Sequence, residues 1–228
     1  MQTTTALWKT LLAGEPSTEW RVTVGGTAYE KSNLVALRVT TGLFGRSYLT
    51  VGSCVSAQLR LTLLDAGTIP RMAEVKVYVR LTDGTQASEW LPYGVYYIDT
   101  RESVPESGTL TLHCYDAMLK AEQTFVTEGD TGAWPRTMTA VVASICTRMG
   151  VELDSRTALN SAYTVEYPND YTMREILGYI AAAHGGCWIM TPAGKLRLVT
   201  LGELPAESNS LVTETGEAIT FGGVSIHV

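Results

Sequence analysis

The stretch "VSAQLRLTL" at 55–63 constrains this chain more than any other. In an extended chain Val55, Ala57, Leu59, Leu61 and Leu63 fall on one face, and Ser56, Gln58, Arg60 and Thr62 on the other. One face is therefore buried and the other wet. Strands of parallel sheets are covered on both faces and read as unbroken apolar runs, so this alternation points to an antiparallel sheet. "AEVKVYVRL" at 73–81 repeats the device, with Val75, Val77, Val79 and Leu81 inward, and the Asp83-Gly84 pair after it signals a turn.

The neighbouring segments extend the pattern. "WRVTV", then Gly25-Gly26, then "TAYEKSNLVALRVTT" reads as strand, tight turn and strand. "GTLTLHCYD" at 108–116 places Leu110, Leu112 and Cys114 on one face. Residues 18 to about 116 are thus strand after strand, at spacings that fit a barrel or sandwich. Before them, residues 3–13 form a short helix, with Leu7, Trp8, Leu11 and Leu12 on one stripe and Gly14 as its stop.

From Asp116 onward the period changes. "DAMLKAEQTF" is helical, and residues 126–136, with Gly, Asp and Pro, read as a connection. In "TMTAVVASICTRMG" Val141, Val142, Ile145, Cys146 and Met149 make the apolar stripe of a helix that ends at Gly150. Thr172 and Glu175 are spaced as a capping box and open a second helix. Its inner face is Ile176, Leu177, Ile180 and Ala183 or His184, and Gly185 ends it. "CWIM", "TPAG" and "KLRLVTL" read as a hairpin. "AITFGGVSIHV" reads as one alternating strand without a closing turn, an edge that pairs with something outside the chain or a sequence that is incomplete.

Between two clear strands lies "SEWLPYGVYYIDTRES" at 88–103, with Trp90, Tyr93, Tyr96 and Tyr97 around Pro92 and Gly94. Such residues stack on sugars or bases, yet they are also favoured strand residues. Tyr96 and Ile98 point one way, and Val95, Tyr97 and Asp99 the other. With Pro92 and Gly94 this fits a strand entered through a kink. Amphipathic rings also favour protein interfaces. The preferred reading is sheet plus subunit interface, formed by Trp90, Tyr93, Tyr96 and Tyr97, with Val224 and Ile226 of the terminal strand.

The chemistry-bearing residues are sparse. Three histidines, His113, His184 and His227, and four cysteines, Cys54, Cys114, Cys146 and Cys187, are scattered through the 228 residues. Adjacent strand residues face opposite ways, so His113 and Cys114 do not share a ligand. His184 and Cys187 straddle Gly185-Gly186 and have no second pair to complete a zinc set. Cys187 precedes Trp188 and Ile189 in an apolar strand, where a buried thiol is the expected state rather than a nucleophile. "GLFGRS" at 42–47 lacks the Lys-Ser/Thr ending of a phosphate loop. Glu102 and Glu106 flank a turn and read as solvated charges rather than a glycosidase pair. No catalytic, metal or cofactor site is therefore assigned, and the expectation is a protein that is not an enzyme.

Net charge is −6, with 17 basic residues and no run of them. Binding through phosphates needs clustered Lys and Arg, so sequence-specific nucleic-acid binding is not expected. No apolar stretch approaches a membrane span, and the polar start is no signal peptide. Synthesis in a cytoplasm with reduced thiols is the expectation.

Several motifs together resemble phage and prophage tail proteins of the baseplate-hub type. They are Gly52 leading a strand, Ile69-Pro70 before "AEVKV", then Trp90, Pro92, Gly94, Tyr96, Ile98 and Asp99, and the corner Tyr115-Asp116-Ala117-Met118. "YTMREILGYIAAAHGG" followed by "LRLVTL" continues the resemblance, which runs from about residue 20 to 201. It implies a ring, usually a homotrimer, in the virion tail, with a first domain related to tail-tube proteins. It implies contacts with the tail tube, distal tail and tape-measure proteins. No catalytic residue carries over. An acidic balance would suit a channel that DNA passes without sticking. The rival readings are a tail-associated cell-wall hydrolase and a carbohydrate-binding module using the aromatic run.

The expected architecture is α+β. A helix at 1–17 precedes a β-barrel-like antiparallel domain at 18–125. A smaller helix-containing α+β domain at 126–205 follows, and then an incomplete terminal strand segment at 206–228.

Overall fold

The computed structural model describes residues 3–43, 50–64, 67–127, 132–200, 220–221 and 224–225. The chain is α+β. Helix α1 (Ala6–Leu12) leads into strands β1 (Ser17–Val24), β2 (Thr27–Tyr29), β3 (Leu34–Thr40), β4 (Gln58–Leu64), β5 (Glu74–Thr82), β6 (Leu91–Val104) and β7 (Thr109–Tyr115). They form one antiparallel sheet in the order β2-β1-β5-β6-β7-β4-β3.

Gly25 and Gly26 join β1 to β2, with Val24 opposite Thr27. Their φ angles of 55° and 94° are those that a two-residue hairpin turn demands. The alternating segments bury most of the predicted faces: Leu59, Leu61 and Leu63 of β4, Val75, Val77 and Leu81 of β5, Leu112 and Cys114 of β7, while Val79 and Leu110 are half-buried. Val55 and Ala57 lie outside β4, because the backbone before Gln58 is committed elsewhere. The Ala57 N–H donates to Asp116 Oδ2, and the Asp116 N–H donates to the Ala57 carbonyl.

The expected barrel is corrected to an open, curled sheet. Among the described residues no pairing joins the edge strands β2 and β3. The first core is built from strand residues with Ile69, Ala57 and Ala73 packed beside them, so the sheet covers its own inner face by curling. Curling is made in β6. Its register slips between Val77 and Tyr78 of β5, and again between Ile98 and Thr100 opposite β7. Bulges of this kind bend a strand and increase its twist. Gly94 serves the first bend. A Cβ there would enter the buried Tyr96 ring, which lies across the glycine.

After β7 the 3₁₀ helix Ala117–Glu122 turns the chain, capped by Asp116, whose Oδ1 accepts from the Met118 N–H at 3.0 Å. β8 (Arg136–Thr137) pairs with β9 (Thr164–Val165) beside helices α2 (Met138–Met149) and α3 (Met173–Ala183). All five predicted stripe residues of α2 are buried, and Gly150 closes it at φ 69°. The Thr172–Glu175 capping box is present on α3. Its inner face is completed by Ala181; Ala183 is exposed and His184 half-buried. β10 (Gly186–Met190) and β11 (Leu196–Thr200) form the predicted hairpin. This second core centres on Trp188, whose indole N–H donates to the Leu177 carbonyl.

The terminal segment is not a single strand. β12 (Thr220–Phe221) pairs antiparallel with β13 (Val224–Ser225). The sequence between them is Gly-Gly, the same turn signal as at 25–26.

Candidate assembly surface and the joint behind it

The four aromatic residues at 90–97 do not form one platform. Trp90 is gripped on its ring by two guanidinium groups, Arg21 at 4.4 Å and Arg80 at 4.5 Å. Each arginine is held in turn by a carboxylate, Glu30 and Glu19, both at 2.7 Å. Tyr93 is 43% exposed and meets Trp20 edge-on at 5.0 Å. Trp20 and Arg21 are adjacent in β1 and face opposite ways, so Trp90 and Tyr93 engage opposite faces of the sheet. Tyr96 is only 2% exposed and belongs to the first core. Tyr97 packs against the second core, with the Lys120 ammonium 3.6 Å over its ring. Val224 lies in β13, and Ile226 is outside the described residues.

A second aromatic group escaped the sequence analysis. Tyr167, Tyr171 and Tyr179 are all exposed and border an apolar groove of about 250 Å³ with Met138 and Ile180. The signal was the spacing of Tyr163, Tyr167 and Tyr171, one every four residues across a loop.

The two cores are joined by the segment before β4. Cys54 bridges in parallel to Trp188, and the Trp188 N–H donates to the Ser53 carbonyl at 2.8 Å. The Gly52 N–H donates to Gly186 at 2.7 Å. Gly52 also lies against α3; a Cβ on it would come 3.0 Å from the Gly178 carbonyl and 3.2 Å from Ala182. So a piece of chain from between two sheet strands is bridged in parallel to β10.

Arg174 fastens this joint. Its guanidinium donates to the Cys54 carbonyl, the Ser56 hydroxyl and the Met118 carbonyl, each at 2.9 Å. Its Nε is 2.8 Å from Glu122 Oε1, an ion-pair distance at which the N–H is not aimed at the oxygen. The sequence held a clue. Arg174 sits in the first turn of α3, where the helix dipole disfavours a cation. Beside it Asp116 is buried, and burial pushes its carboxyl up to about 6 against the opposing pull of two N–H donors and Arg174.

The remaining candidates are occupied by backbone. His184 has Ile180 O at 2.8 Å from Nδ1, and its Nε2 accepts from the Asn160 N–H at 2.9 Å. The Cys187 thiol donates to the Thr50 carbonyl. Glu102 lies on exposed β6 and Glu106 in the turn Pro105–Ser107. Among the described residues no group of three or more His, Cys, Asp or Glu is placed to hold a metal ion. Among the described residues no helix is long and apolar enough to cross a membrane.

No protein-family model matches the sequence, and no curated protein matches it. Among solved structures the chain is similar to the 43 kDa tail protein of prophage MuSo2 from Shewanella oneidensis. The TM-score is 0.56 at 15% identity, over 86% of this chain and 59% of that one. It is also similar to the tail protein from Neisseria meningitidis MC58, with a TM-score of 0.50 at 14% identity, over 80% of this chain and 51% of that one. The chain therefore spans little more than half the length of either structure, and what it shares with these two tail proteins is their fold.

Proposed function

We propose that this chain is a structural part of a phage or prophage tail, a baseplate-hub component that forms a ring joining the tail tube to distal tail parts. The observation that carries the proposal is the likeness of fold to the MuSo2 tail protein over 86% of the chain. On this reading the protein is not an enzyme. It is made in the host cytoplasm and ends in the virion tail, against tube, distal tail and tape-measure proteins.

The surface supports an assembly role. The sheet is open at β2 and β3, and strand edges offer backbone groups to another chain. Closed rings remove such edges without running on into fibres. The exposed rings of Tyr93, Tyr167, Tyr171 and Tyr179 are of the type enriched at protein interfaces.

The test is the solution mass by light scattering over a concentration series. A mass near three times 24.7 kDa, with rings visible by electron microscopy, is the expected result. A mass fixed at 24.7 kDa for this chain, and for a longer form of the gene product, would sink the ring. Lysis of purified cell walls, or a glycan-array signal lost in Trp90→Ala, would move the assignment to the hydrolase or the carbohydrate binder.

A further inference from the structure

The outer face of the sheet carries two arginines without an ion pair, in one row with a histidine. The strand register sets Arg38 of β3 opposite Arg60 of β4, and Arg60 opposite His113 of β7. Both arginines are exposed, and the three side chains border a concavity of about 280 Å³ with Thr40, Gln58 and Tyr115. Like charges directly opposite one another destabilise a sheet. Other arginines of the chain are matched, as Arg21 is by Glu30, Arg80 by Glu19 and Arg156 by Asp154. Arg38 and Arg60 have no ion pair among the described residues. The carboxylates of this face nearest in register are Asp99, in the β6 bulge beside Thr100 and 3.9 Å from Arg71, and Glu102, opposite Thr111 and so one row away from His113.

Towards the other margin of the same sheet the sign reverses. Ser17 pairs with Thr82, so the chain entering β1 and the turn leaving β5 lie side by side. They carry Glu15 and Asp83, both exposed. Ala87 bridges to Thr82 and brings Glu89 to the same corner. Asp83 accepts from the N–H groups of Gln86 and Thr85, which hold its carboxyl below the ordinary range and keep it ionised. Glu15 has no ion pair among the described residues.

We propose that the Arg38–Arg60–His113 row of one copy docks on the Glu15–Asp83–Glu89 corner of a second copy, head to tail. The inference rests on the ring reading and gives that ring its contact. A chain of net charge −6 meets few cationic surfaces on its own kind, and this row sets two arginines without an ion pair directly opposite each other. The two patches lie on β3–β7 and on the β1–β5 end, so they are different surfaces. A contact between different surfaces is heterologous, and it closes into a ring where the rotation permits. Charge complementarity also steers encounter and selects the partner.

The test uses two charge-reversed chains, with folding checked by circular dichroism. Arg38→Glu/Arg60→Glu reverses the row, and Glu15→Lys/Glu89→Lys reverses the corner, sparing the turn that Asp83 holds but giving up the two bonds that Thr5 donates to Glu89. The wild type is expected to associate, and more weakly as salt screens the contact beyond about 8 Å at physiological ionic strength. Each variant alone is expected to run at 24.7 kDa, and a chain carrying all four reversals, in which every row again meets an oppositely charged corner, to regain the wild-type mass. Association of both variants as strong as that of the wild type overturns this contact and leaves the ring standing. Failure of the chain carrying all four reversals to recover overturns the pairing of these two patches. A wild type that stays monomeric at low salt overturns the contact, and the same result for a longer form of the gene product sinks the ring as well. Retention of a short DNA duplex by wild type but not by the Arg38→Glu/Arg60→Glu chain, without self-association, gives the row to nucleic acid and overturns the proposal.

Discussion

The Arg174 guanidinium and the Cys54 carbonyl are 120 residues apart in sequence and 2.9 Å apart in space. The bond ties the first turn of α3 to the connection between β3 and β4, and so ties the helical core to the sheet. The same group also holds Ser56 and Met118, three acceptors on one planar fork. Hydrogen bonds to a charged group contribute about 1.5–3 kcal/mol each, less where water competes. Arg174→Ala is expected to destabilise the chain by about 3 kcal/mol in urea unfolding. Arg174→Lys should recover less than half, because an ammonium cannot reproduce the fork. A loss below about 0.5 kcal/mol, the range of ordinary surface changes, would show that the joint holds without it.

Gly94 and Tyr96 form the second coupled pair. The Tyr96 ring occupies the space where a Gly94 side chain would stand. Gly94→Ala is therefore expected to cost about 2 kcal/mol, as overpacking of a core does. In a Tyr96→Ala background the ring is gone, and the same change should cost close to nothing. A double-mutant cycle reads this as a coupling of about 2 kcal/mol. Additive losses would mean that Gly94 is needed for its backbone and not for the ring.

Much of the fold was legible because its causes are local. The buried face of β4 and β5 follows from a two-residue period in Leu59–Leu63 and Val75–Leu81. The α2 stripe follows from a 3.6-residue period, and the start of α3 from one Thr and one Glu. What lay beyond reach depends on contacts between distant segments. Asp116 commits the Ala57 backbone at a separation of 59 residues, which is why β4 starts at Gln58. The curl of the sheet comes from two register slips in β6; Pro92 and Gly94 mark the first as a kink, but the alternating pattern around Ile98 carries no mark of the second. The aromatic run was read for composition, but each ring's setting was decided by its neighbours. Arg21 and Arg80 take Trp90, the core takes Tyr96, and Lys120 takes Tyr97.

The four cysteines make a prediction about reactivity. All are free and buried. Burial pushes the Cys54 and Cys114 thiols up to about 12 and that of Cys146 up to about 11. The thiolate is the reactive form, so these groups are inert at pH 8. Titration with a disulfide reagent should find no fast-reacting thiol in the native chain and four after denaturation. A native thiol that reacts within seconds would place one of these side chains at an open surface.

Asp116 predicts a pH dependence of unusual sign. Its folded carboxyl is raised from 3.8 to about 6, chiefly by burial. Between those values the folded chain holds a proton that the unfolded chain has lost, so this group's contribution to stability falls as pH rises through the window. A rise of about two units corresponds to about 3 kcal/mol. Asp154 works in the opposite direction. Its hydrogen bonds to Arg156 hold its carboxyl well below the ordinary range, so its contribution is present above the unfolded value and lost as pH falls. The two are separated by comparing wild type with Asp116→Asn, in which Asp154 is unchanged. The variant keeps one acceptor oxygen and turns an amide N–H towards a backbone N–H, so it is the less stable chain at acid pH. The gap between the two should narrow by about 3 kcal/mol from pH 3.5 to 6.5. A gap that widens instead would mean that the Ala57 and Met118 N–H groups, with Arg174 behind them, outweigh burial and keep Asp116 ionised.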